Sequence, residues 1–288
     1  MSYNITTAMV REYHATVQIL QQQMGSRLQN SVRMESQNGE TSFWDQIGAT
    51  AAVKRTSRHA SMPLVSTTHY RRMVATEDYD WADLVDRQDM NKTLADPTSK
   101  YSINAAAAMG RAKDTEIIRA FFAAAYTDKD GGTSTSFPTA THQIAVGAAG
   151  LTIPKLISAK EILDSYEVDE MDRYIAVTST QVSDLLGTTQ VTSSDYNTVK
   201  ALVQGTINSF MGFTFIRTEL LGVDASSYRR CPVWQKNSVL MGVGQDSQAG
   251  IDRRVDLAGR PIQVSYSMSI GATRMDEVGV VEILCDES

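Results

Sequence analysis

Apolar residues near the start of the chain recur at steps of three and four positions, which places them on one side of a helix. This stripe consists of Met9, Tyr13, Val17, Leu20, Met24 and Leu28, and most positions between them are polar. The pattern predicts an amphipathic helix within an N-terminal arm, residues 1–38, before Gly39 interrupts it. The side chains expected to pack on another surface, in the same domain, in a neighbouring subunit or in an assembly partner, are Met9, Tyr13, Val17, Leu20 and Met24.

The longest helical pattern follows Asp96 and Pro97, a pair that suits the cap and the first turn of a helix. From residue 103 to residue 126 alanine occupies many positions, and small side chains allow another element to approach closely. The expected buried face carries Met109, Lys113, Ile117, Phe121 and Ala124. The glycines and hydroxyl side chains of residues 128–136 predict a flexible turn after the helix.

Beyond residue 150 short helical and strand patterns alternate, which predicts an α+β fold. Helices are predicted at residues 152–165, 181–186 and 195–203, and strands at 174–177, 212–218, 239–243, 262–268 and 278–284. In the first of these helices, Leu156, Ile157 and Leu163 are expected to face inward. The last strand is expected to lie in a sheet with both faces partly covered.

Charge changes sign abruptly between two neighbouring segments. Residues 53–72 contain no acidic side chain, whereas residues 77–89 contain six acidic side chains against Arg87 alone. One interpretation is a solvated hairpin whose arms pair internally, and a second is a basic loop that contacts an acidic patch on a second copy. A third is contact of the basic block with nucleic acid, although Tyr70 is the only aromatic residue there for stacking on bases. The side chains predicted to make such contacts between subunits are Lys54, Arg55, Arg58, Arg71, Arg72, Glu77, Asp78 and Asp80.

Composition narrows the function classes. The chain has 288 residues, of which 42% are hydrophobic and 21% charged, as in globular proteins. Its formal net charge of −6 argues against a dedicated nucleic-acid-binding protein, which carries a basic excess. The sequence shows neither a membrane-length apolar stretch nor the basic start and apolar core of a signal peptide, so a cytoplasmic site of synthesis and no membrane association are expected.

Motifs for catalysis are missing from the sequence. No nucleophile elbow, phosphate-binding loop or Cys-x-x-Cys pair is present, and His14, His59, His69 and His142 are scattered. We therefore predict a protein that is not an enzyme and that holds no cofactor and no metal, although a site split across the chain stays open. Cys231 and Cys285 are expected to be reduced and partly buried, and a bond between them also stays open.

Three segments, in this order, resemble the major capsid proteins of tailed bacteriophages. The first runs from Trp81-Ala-Asp-Leu-Val through Asp96-Pro97-Thr-Ser-Lys-Tyr101 to Met109-Gly110-Arg111-Ala-Lys-Asp114 and is similar to the passage from the loop to the long helix in that family. Residues 205–218, Gly-Thr-Ile-Asn-Ser-Phe-Met-Gly-Phe-Thr-Phe-Ile-Arg-Thr, resemble the entry into a central strand. Ile270-Gly-Ala-Thr-Arg274, followed by Val280-Val-Glu-Ile283, resembles the closing strand. The resemblance extends over nearly the whole chain.

The resemblance implies an α+β fold of the HK97 type. It implies an N-terminal arm (residues 1–38), an extended loop (39–80), a peripheral domain with a long spine helix (81–150), an axial domain that begins with a helix of the peripheral domain (151–260), and return strands to the peripheral domain (261–288). In this family the extended loop lies over a neighbouring subunit, and the arm clasps adjacent copies. The stretch from Val53 to Arg72 corresponds to that loop.

The implied function is structural: self-assembly as hexamers and pentamers into the icosahedral head that encloses the phage genome. The implied partners are a portal protein, a scaffolding protein during assembly, a decoration or cement protein, and packaged double-stranded DNA bound without sequence specificity. The implied location is the virion, after assembly in the host cytoplasm. The alternatives are an encapsulin-like compartment shell, another virion protein, and a cytoplasmic hydrolase with an unrecognised site.

Overall fold

The architecture comes from a computed structural model that describes residues 20–59, 61–85, 98–187 and 208–287. Its strands are β1 Arg33–Ser36, β2 Thr41–Ile47, β3 His69–Ala75, β4 Glu77–Val85, β5 Ala125–Thr127, β6 Thr133–Thr135, β7 Gln143–Ile144, β8 Arg173–Val177, β9 Ser209–Phe210, β10 Phe213–Arg217, β11 Arg229–Gln235, β12 Val239–Arg253, β13 Ile262–Arg274 and β14 Val280–Cys285. Its helices are α1 Thr98–Phe122, α2 Thr139–His142, α3 Ile153–Ser165 and α4 Ser179–Gly187, with 3-10 turns at Gln29–Ser31 and Lys236–Ser238.

The strands form three sheets. The largest has the order β7-β14-β11-β8-β10-β9, and the two four-stranded sheets have the orders β1-β12-β13-β4 and β2-β3-β5-β6. Strands β2 and β3 form an antiparallel hairpin in which Thr41 lies opposite Ala75 and Ile47 lies opposite His69. Residues 48–68, which connect the two strands, contain no helix or strand in their described part. The mixture of helices and strands confirms the predicted α+β class.

The chain divides into two units. The first comprises Met1–Ser26, Asp78–Arg111 and Gln245–Met268, and the second comprises Arg27–Glu77, Ala112–Gly244 and Ser269–Ser288. The division does not decide the boundaries predicted for the arm, loop, peripheral and axial segments, which stay a prediction.

In the first unit, a close contact joins the start of the chain to helix α1. A Cβ atom placed on Gly110 would lie 2.4 Å from the carbonyl carbon of Gly25, so a side chain at this position would displace the backbone. The Arg111 guanidinium donates to the Gln22 side chain at 2.9 Å and to the Gln23 carbonyl at 3.2 Å. Glycine inside the helix costs conformational freedom, and here it allows the crossing segment to approach.

In the second unit, the six-stranded sheet carries the core. Every residue of β14 is buried, which fits its nearly continuous apolar sequence and a sheet that is covered on both faces. The Trp234 ring on β11 is fully buried, lies 4.5 Å from the Phe121 ring of α1, and donates its indole N–H to the Ser31 carbonyl at 2.8 Å. This cluster fixes the end of α1 to the sheet.

The two cysteines lie within the same core. Cys231 on β11 and Cys285 on β14 are free and fully buried, so they are less accessible than the sequence suggested. The hydrogen bond between the two thiols and their burial raise the pKa of Cys231. Lys155 of α3 lies close by, and its ammonium group donates to the carbonyls of Ala149, Gly150 and Leu284. Burial of this ammonium group lowers its pKa.

Several predicted elements are confirmed with shifted bounds. The long helix spans Thr98–Phe122 and ends before Ala124, while Met109, Lys113, Ile117 and Phe121 are buried as predicted. The strands predicted at 239–243 and 262–268 are much longer, because β12 and β13 continue through polar residues. The Ile157 side chain is 50% exposed, so the prediction that it faces inward was wrong. The helix predicted at 195–203 lies outside the described residues.

The helical stripe of the arm does not continue through Leu20, Met24 and Leu28, because residues 20–28 form no helix. Here the backbone N–H groups of Arg27 and Leu28 donate to the Asp114 carboxylate, at 3.0–3.1 Å, instead of to helical carbonyls. Leu28 is buried, whereas Leu20 and Met24 are 86% and 58% exposed. Met9, Tyr13 and Val17 lie outside the described residues, so their helix stays a prediction.

A polar network fastens the chain after β14. The Glu287 carboxylate accepts two hydrogen bonds from the Arg229 guanidinium, at 2.9 and 2.8 Å, and one from the Gln181 amide at 2.8 Å. The hydrogen bond with Arg229 is the main reason why the pKa of Glu287 lies below its usual value. The network joins this segment to α4 and to β11.

Replacing Gly271 by alanine should destabilise the second unit by about 2–3 kcal/mol, since overpacking against backbone forces the chain to shift. A Cβ atom at this position of β13 would lie 2.0 Å from the carbonyl oxygen of Ala75. Urea unfolding followed by circular dichroism measures the change, with Gly222→Ala as the control because no atom lies within 4 Å of a Cβ placed there. An equal effect of the two substitutions would contradict the steric explanation.

Glu287→Gln should lower the free energy of unfolding by about 2 kcal/mol at neutral pH, because a charged, partly buried hydrogen-bond acceptor is lost. A carboxyl whose pKa is lowered by folding stabilises the protein above its unfolded pKa, and this stabilisation is lost as the pH falls through its folded pKa. The difference between the two proteins should therefore be full at pH 7 and shrink below pH ~4. Urea unfolding across this pH range measures it. The exposed Glu161→Gln should show no such difference.

Candidate functional site

We call β2, β3 and the connection between them the extended hairpin (residues 41–75). Its long connection, residues 48–68, is the most exposed part of the described chain. Within the connection, the side chains of Val53, Met62 and Leu64 are 60%, 86% and 97% exposed. Apolar side chains exposed together in one segment usually mark a surface that another protein covers. A connection of this length without regular structure also usually has a function.

Basic side chains accompany these apolar side chains. Lys54, Arg55 and Arg58 are exposed, and within the part of the chain that the structure describes they form no ion pair. Arg55 makes one local contact, from its Nε atom to the Ser57 carbonyl at 2.8 Å. The described connection contains no carboxylate to balance these charges.

Other residues of the predicted contact set are paired inside the chain. Arg71 binds Asp45 across the hairpin at 2.6 Å, and Glu77 binds Arg119 of α1 at 3.0 Å. Arg72 is buried and binds Glu277, which follows β13, with Nη2–oxygen distances of 2.6 and 2.5 Å. The hydrogen bond from Arg71 lowers the pKa of the Asp45 carboxyl below its usual value.

Asp78 and Asp80 lie on the exposed side of β4, which alternates with the half-buried side of Tyr79 and Trp81. Neither carboxylate forms an ion pair with any described residue. The acidic strand and the basic strand β3 therefore do not neutralise each other as the two arms of one hairpin. Within the described chain, unpaired basic charge remains in the connection and unpaired acidic charge remains on β4.

A cleft lies at the base of the extended hairpin, with a volume of 1080 Å³. Its walls come from β2, β3, the β5–β6 turn and the residues after β13, and they include Asp45, His69, Tyr70, Arg72, Lys129 and Glu277. Its charges are mixed, and most of them are already paired. In the described ranges no group of three or more His, Cys, Asp or Glu side chains is placed to hold a metal ion.

The partners of Arg71 and Arg72 could not be recognised in the sequence. Glu277 stands 205 positions from Arg72, and no repeat or motif connects the two. The sequence holds a weak signal for Asp45, because it stands only 26 positions from Arg71, in the short segment that forms β2 and along which exposed and half-buried residues alternate. Arg119 lies on the predicted helix, but its contact with Glu77 depends on how the chain returns to that helix.

No helix in the described ranges is long and apolar enough to cross a membrane. A search of curated proteins finds no match to the sequence.

Solved structures share the fold at low sequence identity. The chain is similar to the capsid structure of cyanophage P-SCSP1u, with a TM-score of 0.76, 14% identity, and coverage of 100% of this chain and 96% of that chain. It is also similar to the capsid asymmetric unit of cyanophage Pam1, with a TM-score of 0.73, 15% identity, and coverage of 99% and 98%. The capsid of a native GTA particle gives a TM-score of 0.70, 12% identity, and coverage of 98% and 97%.

These similarities establish a fold consistent with the HK97 type that the resemblance implied. Independently, the family model described as phage capsid protein matches residues 5–287. The match spans the arm, the extended hairpin, α1 and all three sheets. The chain therefore belongs to the phage capsid protein family, and it is a structural subunit of the phage head.

Proposed function

We propose that the subunit assembles as hexamers and pentamers, and that the extended hairpin lies over a neighbouring copy in the shell. The observation that carries this proposal is the connection of the hairpin, which contains the exposed apolar side chains of Met62 and Leu64 together with basic groups that form no ion pair among the described residues. A closed shell offers each copy the same neighbouring surface, so one such contact is repeated at every equivalent position.

The acidic side of β4 is the proposed partner of the basic connection. No carboxylate in the described chain pairs with Lys54, Arg55 or Arg58. Likewise, no cationic side chain in the described chain pairs with Asp78 or Asp80. Each exposed pair contributes only about 0–1 kcal/mol, so these contacts set the register between copies more than they hold them together. The apolar side chains supply the larger part of the contact energy.

Arg71, Arg72 and Glu77 have a different role in this proposal. Because each of them already has a partner in its own chain, they shape the hairpin that the neighbour meets. In an assembled shell Met9, Tyr13, Val17, Leu20 and Met24 would pack on an adjacent copy. The high exposure of Leu20 and Met24 in the single chain supports this part.

Further partners follow from the role in a phage head. We propose a portal protein, a scaffolding protein during assembly in the host cytoplasm, and a decoration or cement protein on the finished shell. Packaged double-stranded DNA would touch the shell without sequence specificity. The net charge of −6 supports weak contact, because strong DNA binding needs a basic excess.

Replacing Met62 and Leu64 together by serine should lower the yield of closed shells at least tenfold, because the apolar contact with the neighbouring copy is lost. The thermal midpoint of the unassembled subunit should stay unchanged, since both side chains are almost fully exposed there. Negative-stain electron microscopy of the expressed chain counts the shells. Met171→Ser is the matched control, because this methionine is 73% exposed and belongs to the turn before β8, outside residues 41–75. Normal shell yield from the double variant would contradict the proposal.

Reversing the charges of Lys54 and Arg58 to glutamate should impair assembly at low salt, and so should reversing Asp78 and Asp80 to lysine. Combining all four reversals should restore much of the shell yield, because the proposed pairs then form with opposite polarity. Sedimentation of shells at low and high salt measures both effects. A combined variant that assembles no better than either parent would refute this pairing. Reversal at Arg71 or Arg72 is less informative, because it breaks contacts inside the subunit.

A further inference from the structure

At the base of the extended hairpin, one carboxylate stands between two buried guanidinium groups. Glu277 binds Arg72 through both of its oxygens, and its Oε1 atom lies 3.8 Å from the Nε atom of Arg274. The side chains of Arg72 and Arg274 are only 8% and 0% exposed, and Glu277 is 23% exposed. The cluster lies entirely within the second unit.

The two arginines have unequal support. Arg274 is held in place by the carbonyls of Phe121, Ala123 and Thr135, at 2.8, 3.0 and 3.2 Å, so its position does not depend on Glu277. Arg72 belongs to the hairpin, and its Nε atom donates to the Met275 carbonyl at 3.1 Å. Thus Glu277 has one fixed cationic neighbour and one that moves with the hairpin.

Neither arginine is fully satisfied. Among the described residues, Nη1 of Arg72 and Nε of Arg274 are buried polar atoms without a hydrogen-bond partner. A buried donor without an acceptor destabilises the folded state, because the hydrogen bonds that it made with water are not replaced. The unpaired Nε atom faces the same carboxylate that Arg72 holds, so rotation of the Glu277 side chain would satisfy it.

We propose that Glu277 is a two-position latch for the extended hairpin. In the position seen in the structure it binds Arg72 and fixes the base of the hairpin. In the second position it binds Arg274, and the hairpin is free to change its angle. The exchange trades one charged hydrogen-bonded pair for another, so the carboxylate never remains buried without a cation.

The first position is favoured in the isolated chain by two other contacts of the hairpin. Gln46 and Arg72 both donate to the Met275 carbonyl, at 2.8 and 3.1 Å. Trp44 packs on the small cluster of Val74, Leu240 and Met275. A ligand shifts such an equilibrium only through different contacts with the two states, and contact of the hairpin with a neighbouring copy is the natural source. This use of the latch rests on the proposed function, whereas the latch itself is a property of the single chain.

Removing Arg72 separates a carboxylate that can move to Arg274 from one that stays in its present position. In Arg72→Met, a latch would move Glu277 to Arg274, so adding Glu277→Gln would remove a working pair. The double variant should then melt roughly 2–4 °C below Arg72→Met. If Glu277 keeps its present position, its Oε1 atom stays 3.8 Å from the Nε atom of Arg274 and forms no hydrogen bond with it. Adding Glu277→Gln should then raise the melting temperature or leave it unchanged. That second result would overturn the proposal.

The matched control is the exposed pair on the same hairpin. Asp45→Asn added to Arg71→Met should shift melting by less than about 1 °C, because both side chains are well solvated. If Arg72→Met does not fold, Arg72→Gln takes its place in the same comparison. Melting is followed by circular dichroism on the unassembled full chain, so the result does not depend on whether shells form.

Hydrogen exchange supplies the second readout. Peptides from β2 and β3 should exchange roughly tenfold faster in Arg72→Met than in the wild type, while peptides from α1 and β14 keep their rates. Unchanged rates in β2 and β3 would show that the hairpin is held without the latch, and the proposal would fail. Equal acceleration in all four elements would also refute it, because this indicates general destabilisation.

Discussion

The buried guanidinium of Arg274 is the interaction on which the arrangement of the second unit depends. The side chain of Arg274 is fully buried between the end of α1, the β5–β6 hairpin and the turn before β14. Its N–H groups donate to carbonyls at the end of α1 and on β6. Carbonyls at the end of a helix have no partners within the helix, so a cation there stabilises both the helix and the connection that follows. Burial lowers the pKa of Arg274, yet a guanidinium remains charged at any physiological pH. A desolvated charge on β13 thus holds together the end of α1 and β6, which lie far from it in sequence.

Sequence patterns predicted most elements with local causes. The alanine-rich helix, the helix with Pro154 in its first turn, and the strands around Ile175, Phe215 and Ile283 all follow from periodicity and capping. Strand β11 was not predicted, because the sequence of Arg229–Gln235 does not alternate and contains Pro232, a residue that is rare in central strands. In the structure it is nevertheless a central strand, between β14 and β8. Its place is decided by partners distant in sequence. The helix predicted for the arm does not extend through residues 20–28 for a similar reason. The Asp114 carboxylate accepts hydrogen bonds from backbone N–H groups that a helix would direct to its own carbonyls.

The candidate site shows the same division between local and distant information. The sign change in charge drew attention to residues 53–80, and the single chain leaves Lys54, Arg58, Asp78 and Asp80 without ion pairs among the described residues. What the sequence could not provide was the distinction between charges used inside the subunit and charges left on its surface. Arg71 and Arg72 are adjacent in sequence, but one forms an exposed pair and the other a buried one, because strand alternation turns them to opposite faces.

The exposed connection of the extended hairpin has a consequence for a free subunit in a cell, because an exposed segment without regular structure is open to proteases. Lys54, Arg55 and Arg58 lie in solvated backbone without regular structure, which is the form of substrate that trypsin-like proteases bind. A copy waiting for partners would therefore carry a cleavage site in the segment that we propose lies over a neighbouring copy. Burial of that segment against a neighbour would turn a short-lived chain into a durable one, and orphaned subunits would be removed by the same feature.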